Sequence, residues 1–160
     1  MKQNCKRIAL FTTHLSLNVI QERQAGYISA LKKSNSYNDS LIFKIENLKD
    51  AEDTIRSILI KSEIDAIFVV DELMAAKTIK IARQLNIEIP ENLKVIGCGD
   101  GELSREFYPS ISSVDFHAEN IGKIAVTNLI NRIKSKSQID FKSTVVESSL
   151  IQRNSSFASD

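Results

Sequence analysis

The sequence predicts an α/β fold, a doubly wound parallel sheet with flanking helices. Two observations predict it. Short apolar runs alternate with segments of helical period over the first hundred residues or so, the order that parallel strands joined by crossover helices require. The runs are also continuously apolar rather than alternating, as expected of strands covered on both faces. With 160 residues, 42% of them apolar, the chain can bury a core of ordinary size.

The elements follow in order. RIALFTT, Arg7–Thr13, reads as a buried strand. Val19–Lys33 follows as a helix with Ile20, Tyr27, Ala30 and Leu31 on one side. SNSYNDS, Ser34–Ser40, is a turn-rich break, and LIFKI, Leu41–Ile45, is a second strand. Asp50–Lys61 reads as a helix with the stripe Ala51, Ile55, Ile58 and Leu59. DAIFVV, Asp65–Val70, is a third strand, and Glu72–Leu85 is a helix with Leu73 or Met74, Ala76 and Ile79 inward. Pro90 stops any continuation, because the residue before a proline avoids the helical region. LKVIGC, Leu93–Cys98, is a fourth strand. Beyond it the pattern loosens. Ser110–Phe116 reads as a short strand and Thr144–Gln152 as a closing extended segment. Between them Ala118–Lys134 is a helix with Ile121, Ile124, Ala125, Leu129 and Ile133 on one stripe.

Charge and composition exclude several functions. The 21 basic and 20 acidic side chains leave a net charge of +1, which offers no basic footprint for nucleic acid. Cys5 and Cys98 are isolated. They form neither a disulfide framework nor a zinc site and suit a reducing, cytoplasmic setting. The only apolar run near the start is IALF, too short for a secretory signal or a membrane span.

In a sheet of this kind ligands bind beyond the carboxyl ends of the strands. Thr12–Asn18, Glu46–Asp50, Asp71 with Glu72, and Gly97–Glu102 lie there. The last stretch carries Gly97, Gly99 and Gly101 around Asp100, but without G-x-G-x-x-G spacing and after the fourth strand. A dinucleotide site would use the turn after the first strand, and TTHLSLN holds no glycine there. A flavodoxin-like enzyme is therefore disfavoured, and no cofactor is expected. His14 and His117 have no metal spacing, and no G-x-S-x-G elbow supplies a nucleophile.

A family resemblance carries the reading further. NIEIPENLKVIGCGDGELSREFYPSISSVD, Asn86–Asp115, resembles the segment "I-x-[IV]-P-[ED]-[DN]-[IL]-x-V-[IV]-G", acidic loop, "P-x-[LI]-[ST]-[ST]-[VI]" of the LacI/GalR family of bacterial transcription regulators. IQERQAGYISAL, Ile20–Leu31, is similar to its "ER-x-x-G-[FY]-x-x-A-L" helix. NIGKIAVTNLINRI, Asn120–Ile133, and STVVESSLIQRNSS, Ser143–Ser156, resemble its later helix and closing strand. The match runs in order over nearly the whole chain.

The resemblance implies a periplasmic-binding-protein-like C-terminal lobe over residues 1–115. Residues 116–142 would be a return segment whose helix belongs to a first lobe absent from this chain, and 143–160 a closing strand and tail. The stripe on Ala118–Lys134 would then dock on another copy or fold back onto this lobe. It further implies a small-molecule, sugar-like effector, a homodimer, DNA contact only through an absent N-terminal domain, and no membrane. Arg23 would donate to the effector from "ER-x-x-G". Asp71 would accept from it where many members carry asparagine, or cap the following helix. Asp100 is the second of two family aspartates, and Gly99 replaces the first. Glu52 stands near the place of a stacking aromatic, Phe116 where many members have a cleft glutamine, and His14 follows the first strand. Ala75, Thr78, Ile79, Ala82, Phe107 and Tyr108 correspond to the family's subunit-pairing surface. With only half a cleft, weak or no effector binding is expected. The alternative is a free-standing binding module of the same architecture.

Overall fold

The computed structural model describes residues 5–13, 17–45, 50–135 and 143–157. Its centre is one six-stranded sheet: β1 (Ile8–Thr13), β2 (Ile42–Ile45), β3 (Ala66–Val69), β4 (Lys94–Cys98), β5 (Ser112–Asp115) and β6 (Ser149–Ile151). The spatial order is β2-β1-β3-β4-β5-β6, parallel except for the antiparallel β5–β6 edge. The order reverses between β1 and β3, the switch point where open α/β sheets form their crevice.

Helices cover the sheet on two sides. α1 (Asn18–Lys33) packs Ile20, Tyr27 and Leu31 against Leu10 and Val70 on one face. Ala30, expected on the apolar side, is exposed, and the half-buried Ile28 takes its place. Tyr27 also donates its hydroxyl to the Ile8 carbonyl at 2.7 Å, so its ring can be buried without losing its polar end. α2 (Ala51–Lys61) and α3 (Glu72–Gln84) build the larger core on the opposite face around Phe11, Ile55, Ile67, Met74, Ile79 and Ile81. Met74 rather than Leu73 points inward, and Leu73 is left 47% exposed. Asp71 starts α3 as its N-cap by accepting from Met74 N–H at 2.7 Å. Asn86, at φ 58°, turns the chain out of it, a left-handed conformation that asparagine tolerates better than most residues.

Two differences from the sequence pattern lie beyond β4. The glycine loop is followed by a five-residue helix, α4 (Glu102–Glu106). Its amphipathic signal is too short to read. Glu72 accepts from Ser104 N–H at 2.7 Å and so caps it from another element. That carboxylate lies where a side chain on Gly101 would stand, which accounts for the glycine. The closing strand is only Ser149–Ile151, and Thr144–Ser148 runs without regular structure.

α5 (Ala118–Lys134) has no buried residue. Ile121, Val126, Leu129 and Ile130 are 42–56% exposed and Ile133 is 74% exposed. The expectation that this stripe folds back onto the lobe is therefore corrected. His117 enters the helix at φ 53°, and Ile121, Ile124 and Ala125 of the apolar stripe line an open groove with Thr144 and Val146 of the returning chain.

The expected pairing surface needs a second correction. Ala75, Thr78, Ile79 and Ala82 are 0% exposed inside the lobe's own core. The α3 residues that the family resemblance assigned to a partner lie on the face that covers the sheet. Of the expected surface, Tyr108 is exposed and Phe107 half-buried.

The C-terminal segment is sewn back across β4 and β5. Ser155 Oγ accepts from Ser112 N–H at 2.8 Å and donates to the Val95 carbonyl at 2.6 Å. Arg153 donates to Asp100 Oδ1 at 2.6 Å and to the Ile111 carbonyl at 2.8 Å, and Arg105 meets Asp100 Oδ2 at 3.3 Å. These bonds hold the Asp100 carboxyl below the ordinary aspartate range, the Arg153 hydrogen bond contributing most. Among the described residues no helix is long and apolar enough to cross a membrane.

Two outcomes follow from this packing. An Ile79→Ala substitution should cost about 2–5 kcal/mol in a urea melt, whereas Leu129→Glu on α5 should stay within about 0.5 kcal/mol. A comparable loss from both would place α5 in the lobe's core. Because the folded Asp100 titrates below its unfolded value of about 3.9, its contribution is complete above that pH and disappears as pH falls through the lower folded value. Stability should drop on acidification through that window. Asp100→Asn should flatten the drop, measured as urea midpoints from pH 2 to pH 6.

Candidate functional site

The sheet register brings one row of residues to the carboxyl edge. Phe11 pairs with Val69, Phe68 with Ile96 and Cys98 with Val114. One step further along the strands, Thr12, Val70, Cys98 and Val114 stand level on four adjacent strands. Side chains alternate along a strand, so Thr12 and Val70 share the α1 face with Leu10, which is buried there.

Arg23 lies over this row. It sits in the second turn of α1, and Ile20 and Tyr27, which flank it at helical spacing, anchor that helix to the sheet. Its Nη1 donates to the Val70 carbonyl at 2.7 Å. Its guanidinium carbon lies 4.6 Å from the centre of the Phe116 ring, just past β5. The cation therefore spans the ends of β3, β4 and β5, held by a carbonyl on one side and an aromatic face on the other. Cys98 lies in its field. Burial pushes the Cys98 thiol up to about 11, the nearby Arg23 lowering and Asp71 raising it less strongly, so at neutral pH it carries no charge. Three polar atoms close to this edge are buried without a hydrogen-bond partner: Arg23 Nε, Thr12 Oγ1 and Thr13 Oγ1.

The acidic residues around the edge are engaged with the protein itself. Asp71 commits Oδ1 to Met74 N–H, Glu72 commits Oε1 to Ser104 N–H, and Asp100 is held by Arg153 and Arg105. Gly99, with φ 90° and nothing near the place of a side chain, carries the loop away from β4. Glu52 is not at this edge but pairs with Lys80 at 2.9 Å across the outer face of α2 and α3. His14 lies outside the described residues. The structure thus brings together Arg23, Phe116 and Asp71 of the expected residues, turns Asp100 inward, and adds Thr12, Thr13 and Cys98. Thr12 and Thr13 open the ligand-side stretch Thr12–Asn18, but their residue type gave no further signal, since a threonine that ends a strand is ordinary. Only the missing hydrogen-bond partners single them out.

His117 makes a separate chain of bonds. Its Nδ1 lies 3.0 Å from Asp115 Oδ2, and its Nε2 lies 3.2 Å from Ser149 Oγ. Asp115 pairs with Ser149 across the β5–β6 edge, so these bonds tie the chain's exit into α5 to its return. Among the described residues no group of three or more histidine, cysteine, aspartate or glutamate side chains could hold a metal ion.

Residues 1–156 match the family described as periplasmic binding protein-like domain. The chain is 28% identical to the ribose operon repressor of Haemophilus influenzae over 96% of its length and 47% of that protein's. It is 31% identical to the HTH-type transcriptional repressor PurR of Aliivibrio fischeri, over 81% of this chain and 40% of that one. The chain spans about half the length of the curated relatives it matches. A crystal structure of an uncharacterized protein from Actinobacillus succinogenes superposes with a TM-score of 0.84 at 28% identity, covering 97% of this chain and 57% of that one. The Escherichia coli transcriptional repressor ascG shares the fold, with a TM-score of 0.84 at 23% identity over 95% of this chain and 56% of its own. Both curated relatives are repressors rather than enzymes. With a sheet of this order, a crevice at its carboxyl edge and family motifs from one end to the other, the chain belongs to the periplasmic binding protein-like domain family, as an effector-binding domain of LacI/GalR type.

Proposed function

We propose that this chain senses a small molecule at the carboxyl edge of its sheet and relays occupancy to a DNA-binding domain carried elsewhere in the regulator. The observation that carries the reading is Arg23. A guanidinium seated over three strand ends, with Nε unpartnered, is an assembled donor waiting for an acceptor. Phe116 positions it, and Asp71 stands beside the same edge as the start of α3. Asp100 serves the fold, closing the lobe through Arg153.

Relay requires that the effector bind one arrangement of the regulator more tightly than another. The described elements build one wall of a cleft, so binding by this chain alone is weak or absent. The exposed stripe of α5 is the natural contact for a further lobe or a second copy, and Tyr108 is the exposed point for subunit pairing. The setting of such a regulator is the cytoplasm. The free-standing binding module remains the second reading, favoured by nothing further in the site.

The test is a thermal-shift and calorimetry screen of sugars and their derivatives at millimolar concentration. At tenfold excess over Kd a ligand should stabilise the chain by about 1.4 kcal/mol, a melting shift of roughly 3–6 °C. Arg23→Met should abolish the shift while leaving the circular dichroism spectrum unchanged. Ligands that act equally on Arg23→Met, or micromolar affinity for this chain alone, would contradict the reading.

A further inference from the structure

The donors and acceptors at the carboxyl edge do not balance, and the imbalance has a direction. Three donor-capable atoms are buried and unpartnered there: Arg23 Nε, Thr12 Oγ1 and Thr13 Oγ1. Of the carboxylates that could receive hydroxyl donors from a neutral sugar, Asp100 has both oxygens committed inside the protein, and Asp71 and Glu72 have one each. Gly99 supplies no side chain at all. Arg23 has no carboxylate within ion-pair distance among the described residues. Its first bond goes to a neutral carbonyl, one face goes to Phe116, and the Cys98 thiol beneath it is uncharged. A half-buried guanidinium without a counter-charge is costly in the unliganded state.

Resting on the effector-site reading, we infer that the ligand of this edge is an anion whose carboxylate or phosphate oxygens accept from Arg23 and Thr12. Thr12 stands level with Val70, whose carbonyl already holds Arg23, and on the same face of the sheet. The arginine fork and the hydroxyl thus share one side of the sheet and are the donors such an oxyanion would take. Phe116 has one ring face covered by the guanidinium, so it orients the arginine for the anion instead of stacking that face on a sugar. Asp71 is the nearby opposing charge. Its N-cap position at α3 compensates it in part, since a helix N-terminus favours negative charge.

The experiment follows the 15N Nε–H signal of Arg23 in the labelled chain, assigned by its loss in Arg23→Lys. Sodium phosphate, sodium acetate and glucose are titrated separately against a sodium chloride control. Phosphate, acetate or both should shift the signal saturably beyond the chloride control, and the stronger of the two names the oxyanion. Glucose should not shift it. Thr12→Val should weaken the anion by roughly tenfold without lowering the melting temperature, because an unpartnered buried hydroxyl contributes nothing to stability. Asp71→Asn keeps a capping side chain and removes the opposing charge, so anion affinity should rise several-fold. A saturable shift with glucose, weakened by Asp71→Asn, would overturn the anionic class while leaving the effector site in place. No saturable shift with any probe would overturn the inference and remove Arg23 as a ligand donor.

Discussion

The structure depends on the parallel pairing of β1, β3, β4 and β5. Parallel strands all point their carboxyl ends the same way, and the register sets Thr12, Val70, Cys98 and Val114 level. Everything assigned to the site follows from that row. α1 crosses back over it to join β1 to β2, and the arginine in its second turn reaches the ends of β3 to β5 through the Val70 carbonyl and Phe116. Moving the register by one residue would turn Thr12 and Val70 to the other face and leave Arg23 over a different set of atoms.

The two faces of the sheet are unequally protected. α2 and α3 close one face with a continuous apolar core, and their outer surface is charged, with Glu52 paired to Lys80 and Arg56 bonded to Gln84. The other face relies on α1, whose buried residues are few. α5 contributes nothing to it. The helix leaves at His117 and the chain returns to β6, and the Asp115–His117–Ser149 bonds close the neck between exit and return. A helix joined through one neck can be carried by another body without disturbing the lobe. An apolar stripe of this kind is worth about 1.5–3 kcal/mol per side chain once fully buried.

Polar interactions divide between holding the fold and leaving it open to a ligand. Ser112, Ser155, Ser156, Arg153 and Asp100 satisfy one another beneath the glycine loop, where the returning chain must be fastened to an otherwise parallel sheet. At the carboxyl edge, by contrast, Arg23 Nε and the two threonine hydroxyls are left over. Buried polar groups in folded proteins are rarely left unpaired, so such groups gathered at a switch point carry more functional weight than the same residues elsewhere.

Much of the fold was legible in the sequence because burial imposes periods. Continuous apolar runs marked four strands, and the spacing of Ile55 and Leu59, or of Ile20 and Tyr27, marked the helices between them. Family motifs brought Arg23, Asp71 and Phe116 forward as expected ligand residues, and the fold sets them near one edge. Ala75, Thr78, Ile79 and Ala82 misled, because a helix face of small apolar residues reads the same whether it covers its own sheet or a partner. The inward turn of Asp100 was not legible, since its partner Arg153 is distant in sequence and reaches it only through the β6 return. The sequence by itself determined which segments pair with water and which do not, since hydrophobic period is a local property. Only the tertiary structure decided which polar groups find partners. Hydrogen bonds are satisfied across strands and loops far apart in the chain, and the donors left over at Thr12, Thr13 and Arg23 exist only once every other bond has been made.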